Sequence, residues 1–332
     1  MANKDDPKIN NQEDIDRYIN ALIKKAEDEI EILFSRRLKQ IKQEIEEMFS
    51  KYQSDDVYVT WTEFNKYNRL NKELNRIAQM LTQDYREIAK IIKQSQQNAY
   101  IEKFMMSLFL YEMASQTPMQ FDVPTQAIIQ KAIEQPIELI QLIPTLDRHR
   151  SNVLKKIRLE ITRGIINGKG YTHIAKALRD DLGMSKAQAQ RVARTEAGRA
   201  MSQAGLDSAK VAQRNGLDMY KYWFAVKDNR TRHTHRHLDG AKKKINEPFK
   251  SSGCEGQAPK LFEGDDSAKE NINCRCKLLY YISEDELPDV MRVKNDDGST
   301  QIIPLVRYRY WERLKREQSK RKGSAWLWVK II

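Results

Sequence analysis

The chain has 332 residues, with 58 Lys/Arg against 46 Asp/Glu for a net charge of +12, and its hydrophobic share is only 40%. No window approaches 18 uninterrupted apolar residues, which excludes a chain crossing a membrane on an apolar helix; thirteen glycines and nine prolines are too few for a disordered or collagen-like chain. Three cysteines cannot build a disulfide framework, and residues 1–11 lack the apolar run of a secretory signal, so a reducing cytoplasm is the expected place of synthesis.

Apolar residues first recur at three- and four-residue steps through Ile15, Ile19, Leu22, Ala26, Ile30, Leu33, Ile41, Ile45, Met48 and Tyr52. This spacing predicts a long amphipathic helix, imperfect around Arg37–Leu38. Thr60-Trp61-Thr62-Glu63 has capping-box spacing and opens a second helix through Leu70, Leu74, Ile77, Leu81, Tyr85, Ile88 and Ile92. The Met- and Phe-rich run from Tyr100 to Ala114 is too short for a bilayer and predicts a buried helix. Pro118, Pro124, Pro136 and Pro144 then cut the chain into short pieces, and a domain boundary is placed near Asp147.

Val153, Leu154, Ile157, Ile161 and Ile165 form the next helical face, which stops at Gly168-Lys169-Gly170. A short helix from Thr172 is expected to close at Gly183. A capping box at Ser185–Gln188 then opens a longer helix with small side chains along one stripe: Ala189, Ala193, Ala197, Ala200, Ala204, Ser208 and Ala212. Beyond it the period becomes two. Tyr220, Tyr222, Phe224 and Val226 alternate with Lys221, Trp223, Ala225 and Lys227, as in a half-buried strand, and Lys277–Ile282 is a second strand. The polar stretch between them reads as mostly irregular. Asn295-Asp296-Asp297-Gly298 predicts a hairpin turn between Val290–Lys294 and Thr300–Ile303, and Tyr308, Trp311 and Leu314 predict one short helix in the tail.

The expected architecture is α+β. A mainly helical region spans 1–147, a domain of helices with a small antiparallel sheet spans 148–285, and a hairpin with a basic aromatic tail spans 286–332.

Residues 305–332 hold nine Lys/Arg against two Glu, a net +7. Cations neutralise phosphates and aromatics stack on bases, so Arg307, Arg309, Arg313, Lys315, Arg316, Lys320, Arg321 and Lys322 are the expected DNA contacts, without base specificity. A second dense cluster gathers His233, His235, His237, Cys254, Cys274 and Cys276. His235 or His237 with the three cysteines makes a chemically reasonable zinc set, although C-x-C is a less typical zinc spacing than C-x-x-C. The other reading is a polar loop with buried free thiols. No cofactor is expected, with a structural zinc on His235, Cys254, Cys274 and Cys276 as the exception. Histidine beside Asp228 or Asp239 holding a nuclease metal, or a thiol nucleophile with a His partner, gives an enzymatic reading. No Walker A loop, G-x-S-x-G or H-E-x-x-H accompanies it. Residues 170–199 imitate a helix-turn-helix, but the length of the second helix favours an ordinary helical corner.

From about Ile157 to Ile282, the succession Ala193-Arg194-Thr195-Glu196, then Trp223, then Asp228 to Gly240, then Asn273-Cys274-Arg275-Cys276 resembles the phage Mu protein F-like family. These are head-morphogenesis minor head proteins of tailed bacteriophages, and the whole chain is most similar to those of siphophages of Gram-positive hosts. Arg194, Thr195, Glu196, Asp228, Arg232, His235, Gly240, Cys274 and Cys276 match the family pattern and read as the frame of the domain rather than a catalytic set. His233, His237 and Cys254 lie outside it. The resemblance implies a non-enzymatic protein of the capsid interior, made in the host cytoplasm. Its implied partners are the portal protein and double-stranded phage DNA, with scaffold or major capsid protein as further candidates, no membrane, and a role in assembly or DNA ejection. The rivals are a metal-dependent nuclease or effector built on the His/Cys loop, and a helix-turn-helix regulator.

Overall fold

The computed structural model describes residues 7–50, 69–134, 142–166, 171–226, 230–281, 290–294, 300–304 and 308–320. Five helices come first: α1 (Gln12–Ser50), α2 (Arg69–Ser115), α3 (Gln126–Glu134), α4 (Leu142–Ile166) and α5 (Tyr171–Arg214). Strand β1 (Tyr220–Phe224), helix α6 (His233–Leu238), strands β2 (Lys242–Lys244), β3 (Phe249–Ser251), β4 (Cys254–Gly256) and β5 (Phe262–Glu263), helix α7 (Ser267–Asn271) and strand β6 (Lys277–Tyr281) follow. The chain ends in strands β7 (Val290–Lys294) and β8 (Thr300–Pro304) and helix α8 (Tyr308–Lys320). The α+β expectation holds. Among the described residues no helix is long and apolar enough to cross a membrane.

Two compact units form, and neither is continuous in sequence: one takes residues 1–23, 95–139 and 195–332, the other 24–94 and 140–194. Helices α1, α2 and α5 supply residues to both. Position 147, where the sequence suggested a boundary, falls inside α4. Pro144 is tolerated there because it stands in the helix's first turn, where its missing N–H has no partner to lose.

The unit of 24–94 and 140–194 is all helical. Ile30, Phe34, Tyr85, Ile88 and Ile92 pack with Leu146, Ala189 and Ala193, while Ile41, Ile45, Leu74, Ile77 and Leu81 pack with Val153, Ile157, Ile161 and Leu178. The flaw in the α1 stripe has a cause. Arg37 is buried there and gives two hydrogen bonds to Asp84 of α2, one of them Nη2 to Oδ1 at 2.9 Å, so the polar residue enters the core as a bidentate ion pair. The capping box at 60–63 and the Gly168–Gly170 stop lie outside the described residues.

Helix α5 corrects one expectation. No turn interrupts it at Gly183; a single 44-residue helix runs through the supposed helix-turn-helix corner. One interior glycine costs a helix only about 1 kcal/mol, and the long small-residue stripe beyond it recovers far more through burial.

In the unit of 1–23, 95–139 and 195–332, the Met/Phe run is the last third of α2. Tyr100, Met105, Met106, Phe109, Tyr111 and Met113 are buried together with Ile15, Ile19, Ala197, Ala200, Ala204 and Ala212. A three-stranded antiparallel sheet of order β2-β1-β6 places Trp223 opposite Leu278. The face of β1 turned inward carries Lys221 and Trp223, and Ala225 follows just beyond the strand, all at most 2% exposed. Lys221 can sit there because its Nζ donates to Ile245 O, Gln257 O and Gln257 Oε1 at 2.7–2.9 Å. The stretch expected to be irregular holds a second antiparallel sheet of order β3-β4-β5 and the two short helices α6 and α7. Strands β7 and β8 pair antiparallel, from Val290 opposite Pro304 to Lys294 opposite Thr300; the expected turn, 295–298, lies outside the described residues. Trp311 of α8 is 1% exposed, with its ring 5.5 Å from Phe109 and 6.0 Å from Phe121.

Candidate metal centre

The C-x-C pair owes its geometry to extended backbone. Residues two apart on a strand-like segment point the same way, so Cys274 and Cys276 present their sulfurs together while Arg275 turns aside. Asn273 supplies the bend that delivers them, with φ +58, a left-handed conformation Asn adopts more readily than most residues. Its backbone N–H meets Thr195 Oγ1 at 3.4 Å.

Across from the sulfurs lies α6. His235 faces inward at 1% exposure, whereas His233 and His237, two positions either side, are exposed on the outer face with rings 4.3 Å apart. His235 Nδ1 lies 3.5 Å from the sulfur of Cys274 and 3.5 Å from that of Cys276. On the other edge of the ring, Nε2 sits 2.7 Å from Glu270 Oε2, and the same oxygen accepts from Ser251 Oγ at 2.8 Å. With the Glu270 carboxylate as acceptor, Nε2 is a donor, and Nδ1 is the ring edge turned to the two sulfurs. Trp223 and Phe262 wall the imidazole, ring centroids 5.4 and 5.8 Å away. Asn271 pins the wall by accepting from Phe262 N at 2.9 Å and donating to Phe262 O at 2.8 Å. Arg232 donates to Ile272 O, and Gly240 takes φ +86, so both family-pattern residues brace the loop that carries His235.

The two thiols are unlike. A hydrogen bond from Cys276 holds the Cys274 thiol well below its usual value, while Cys276 is raised, first by that shared proton and then by burial. The Lys260 ammonium favours the thiolate form of both.

Of the four residues proposed as ligands, the structure brings three together: His235, Cys274 and Cys276 have ligand atoms within 4.8 Å of one another. Cys254 is buried but stands one strand further out, on β4 opposite Ser251, and is not in that group. Glu270 and Ser251 were not foreseen. Glu270 sits in the polar string Ser267–Asn271, and only the fold of α7 turns it inward.

The remaining motif residues are structural neighbours. Arg194 pairs with Glu27 at 2.7 Å. Glu196, 3% exposed, is held by Arg199 at 3.1 Å and accepts from Gln96 at 2.9 Å; burial raises its carboxyl pKa while Arg199 opposes the shift. Asp228 lies outside the described residues.

The tail needs a correction too. Lys315, expected to face phosphate, points into the core, 2.8 Å from Glu112 and donating to Met119 O at 2.9 Å. Arg316 bonds Glu312 one turn back at 2.8 Å. Arg313 is exposed, Arg309 and Lys320 stand on α8, and Arg307, Arg321 and Lys322 lie outside the described residues.

The family model described as Phage Mu protein F like protein matches residues 155–279. Minor head protein GP7 of Bacillus phage SPP1 is 36% identical over 311 residues, spanning 93% of this chain and 99% of that protein. NAD(+)--arginine ADP-ribosyltransferase EFV of Enterococcus faecalis is 29% identical over 198 residues, 59% of this chain and 39% of that protein. No solved structure matches the chain.

Proposed function

Because this chain belongs to the phage Mu protein F-like family of head-morphogenesis proteins, we propose that it acts as a minor head protein of the virion, bound near the portal and to packaged DNA. The observation carrying this reading is the end-to-end likeness to a minor head protein, 93% of one chain against 99% of the other. The transferase from Enterococcus shares only 39% of its length, so its named activity is not transferred.

The physical mechanism is adhesion. Helical surfaces dock to the portal ring during assembly, and the cationic surplus neutralises DNA phosphates without reading sequence. The motif residues fit that role, because Arg194, Thr195, Glu196, Arg232 and Gly240 support helix pairs and loops. Co-expression with the portal protein of the same phage is expected to give a complex that co-purifies, and mass spectrometry of mature particles is expected to find the chain in a few copies. Absence from particles, or cleavage of DNA by the purified chain with divalent metal, would overturn the reading.

A further inference from the structure

We infer that His235 Nδ1, Cys274 Sγ and Cys276 Sγ are ligands of one zinc ion, with Glu270 as the carboxylate that orients the histidine. The distances carry the inference. A zinc held at about 2.3 Å from sulfur and about 2.05 Å from nitrogen, with tetrahedral angles, sets each sulfur about 3.5 Å from the nitrogen. Both measured separations are 3.5 Å. Two sulfurs equidistant from one ring nitrogen are what a cation at their common centre produces.

The outer contacts agree. Metal-bound imidazole almost always donates its second N–H to a carboxylate or carbonyl, and His235 Nε2 lies 2.7 Å from Glu270 Oε2. Glu270 is in turn fixed by Ser251. Both sulfurs bind as thiolates, the proton they share leaving to solvent, and the two thiolates neutralise the dication. Three protein ligands leave a fourth position of the tetrahedron for a water. The ion would tie α6 to the segment entering β6 and so close a long polar loop whose two sheets are too small to hold it alone. This assignment is independent of what the tail or the helices bind.

Full-length protein purified from zinc-supplemented cells is expected to carry one zinc per chain. Cobalt substitution is expected to give the intense thiolate-to-metal absorption of a tetrahedral site, and Cys274 and Cys276 are expected to resist alkylation until a chelator is added. C274S, C276S and H235A should lose the metal, C254S should keep it, and Glu270→Gln should weaken zinc binding by roughly 10–100-fold. Wild-type protein without zinc after equilibration in excess metal would overturn the proposal. So would a cobalt spectrum lacking the thiolate band, or a mass two hydrogens low marking a Cys274–Cys276 disulfide. Loss of the ion from folded C254S would overturn this ligand set. The wild-type measurements decide the matter even if a ligand variant fails to fold.

Discussion

Lys221 has no carboxylate among its hydrogen-bond partners, which are three neutral oxygens, and burial pushes its pKa down from 10.5 to about 7. Between those two values the unfolded chain holds a proton that the folded chain has released. Stability from this group therefore rises with pH across that window and is least favourable below it. We expect the Tm difference between wild type and Lys221→Met to grow from about pH 7 to about pH 10, read by thermal melts; a flat difference would show that the ammonium stays charged throughout. Lys315 poses the opposite case, a buried cation with its counter-ion. Burial raises the Glu112 carboxyl pKa and Lys315 holds it back, so Lys315→Met should strand a buried carboxylate and cost roughly 3–5 kcal/mol in urea unfolding. Adding Glu112→Gln should recover most of that loss, since an amide can still accept from Met119 N without carrying charge. Neither lysine's burial was legible in sequence. A charged residue in an alternating strand or a basic tail reads as solvent-facing, and only the acceptors at Ile245, Gln257 and Glu112, far away along the chain, reverse that.

Helices were the legible part. The stripes on α1, α2 and α5 follow a three-to-four-residue period set by one buried face, and Ile15, Ile19, Ile30, Ile41, Ile77, Leu81, Ile88, Ala197 and Ala204 are buried as that period demands. Gly183 misled because local propensity is weak against packing along a 44-residue helix. The small-residue stripe makes its own prediction. Ala200 and Ala204 are fully buried, so Ala204→Leu should overpack the interface and cost about 1–3 kcal/mol. Gly198→Ala should be close to neutral in the same denaturation assay. Its new Cβ would come 2.7 Å from Lys260 Cε, the far end of a flexible side chain, and the helix gains up to about 1 kcal/mol of propensity. The candidate metal centre was half legible. C-x-C and the histidines marked the loop, but the choice of His235 over His237 depends on which face α6 turns inward, and Glu270 carried no signal at all.

At the scale of the whole molecule, the surplus of positive charge predicts salt-sensitive DNA binding. Changing Arg307, Arg309, Arg313, Lys320, Arg321 and Lys322 to Gln, while sparing Trp311 and Lys315, should lower affinity across all sequences. If all six meet phosphates, the slope of log affinity against log salt should fall by about 5. Electrophoretic shifts at several salt concentrations measure it, and an unchanged slope would place the DNA contacts elsewhere. Deleting the tail outright is a poorer test, because it removes the Trp311 that packs on Phe109 and Phe121.

Gln12 grips both backbone groups of Tyr280, donating to its carbonyl at 2.6 Å and accepting from its N–H at 3.0 Å across 268 positions. A ribosome adding roughly 5–20 residues per second needs about 13–54 s to cover that separation. The pairing of Gln12 with Tyr280 therefore cannot form before residue 280 has been made. A chain cut short before Tyr280 lacks the partner of Gln12 altogether.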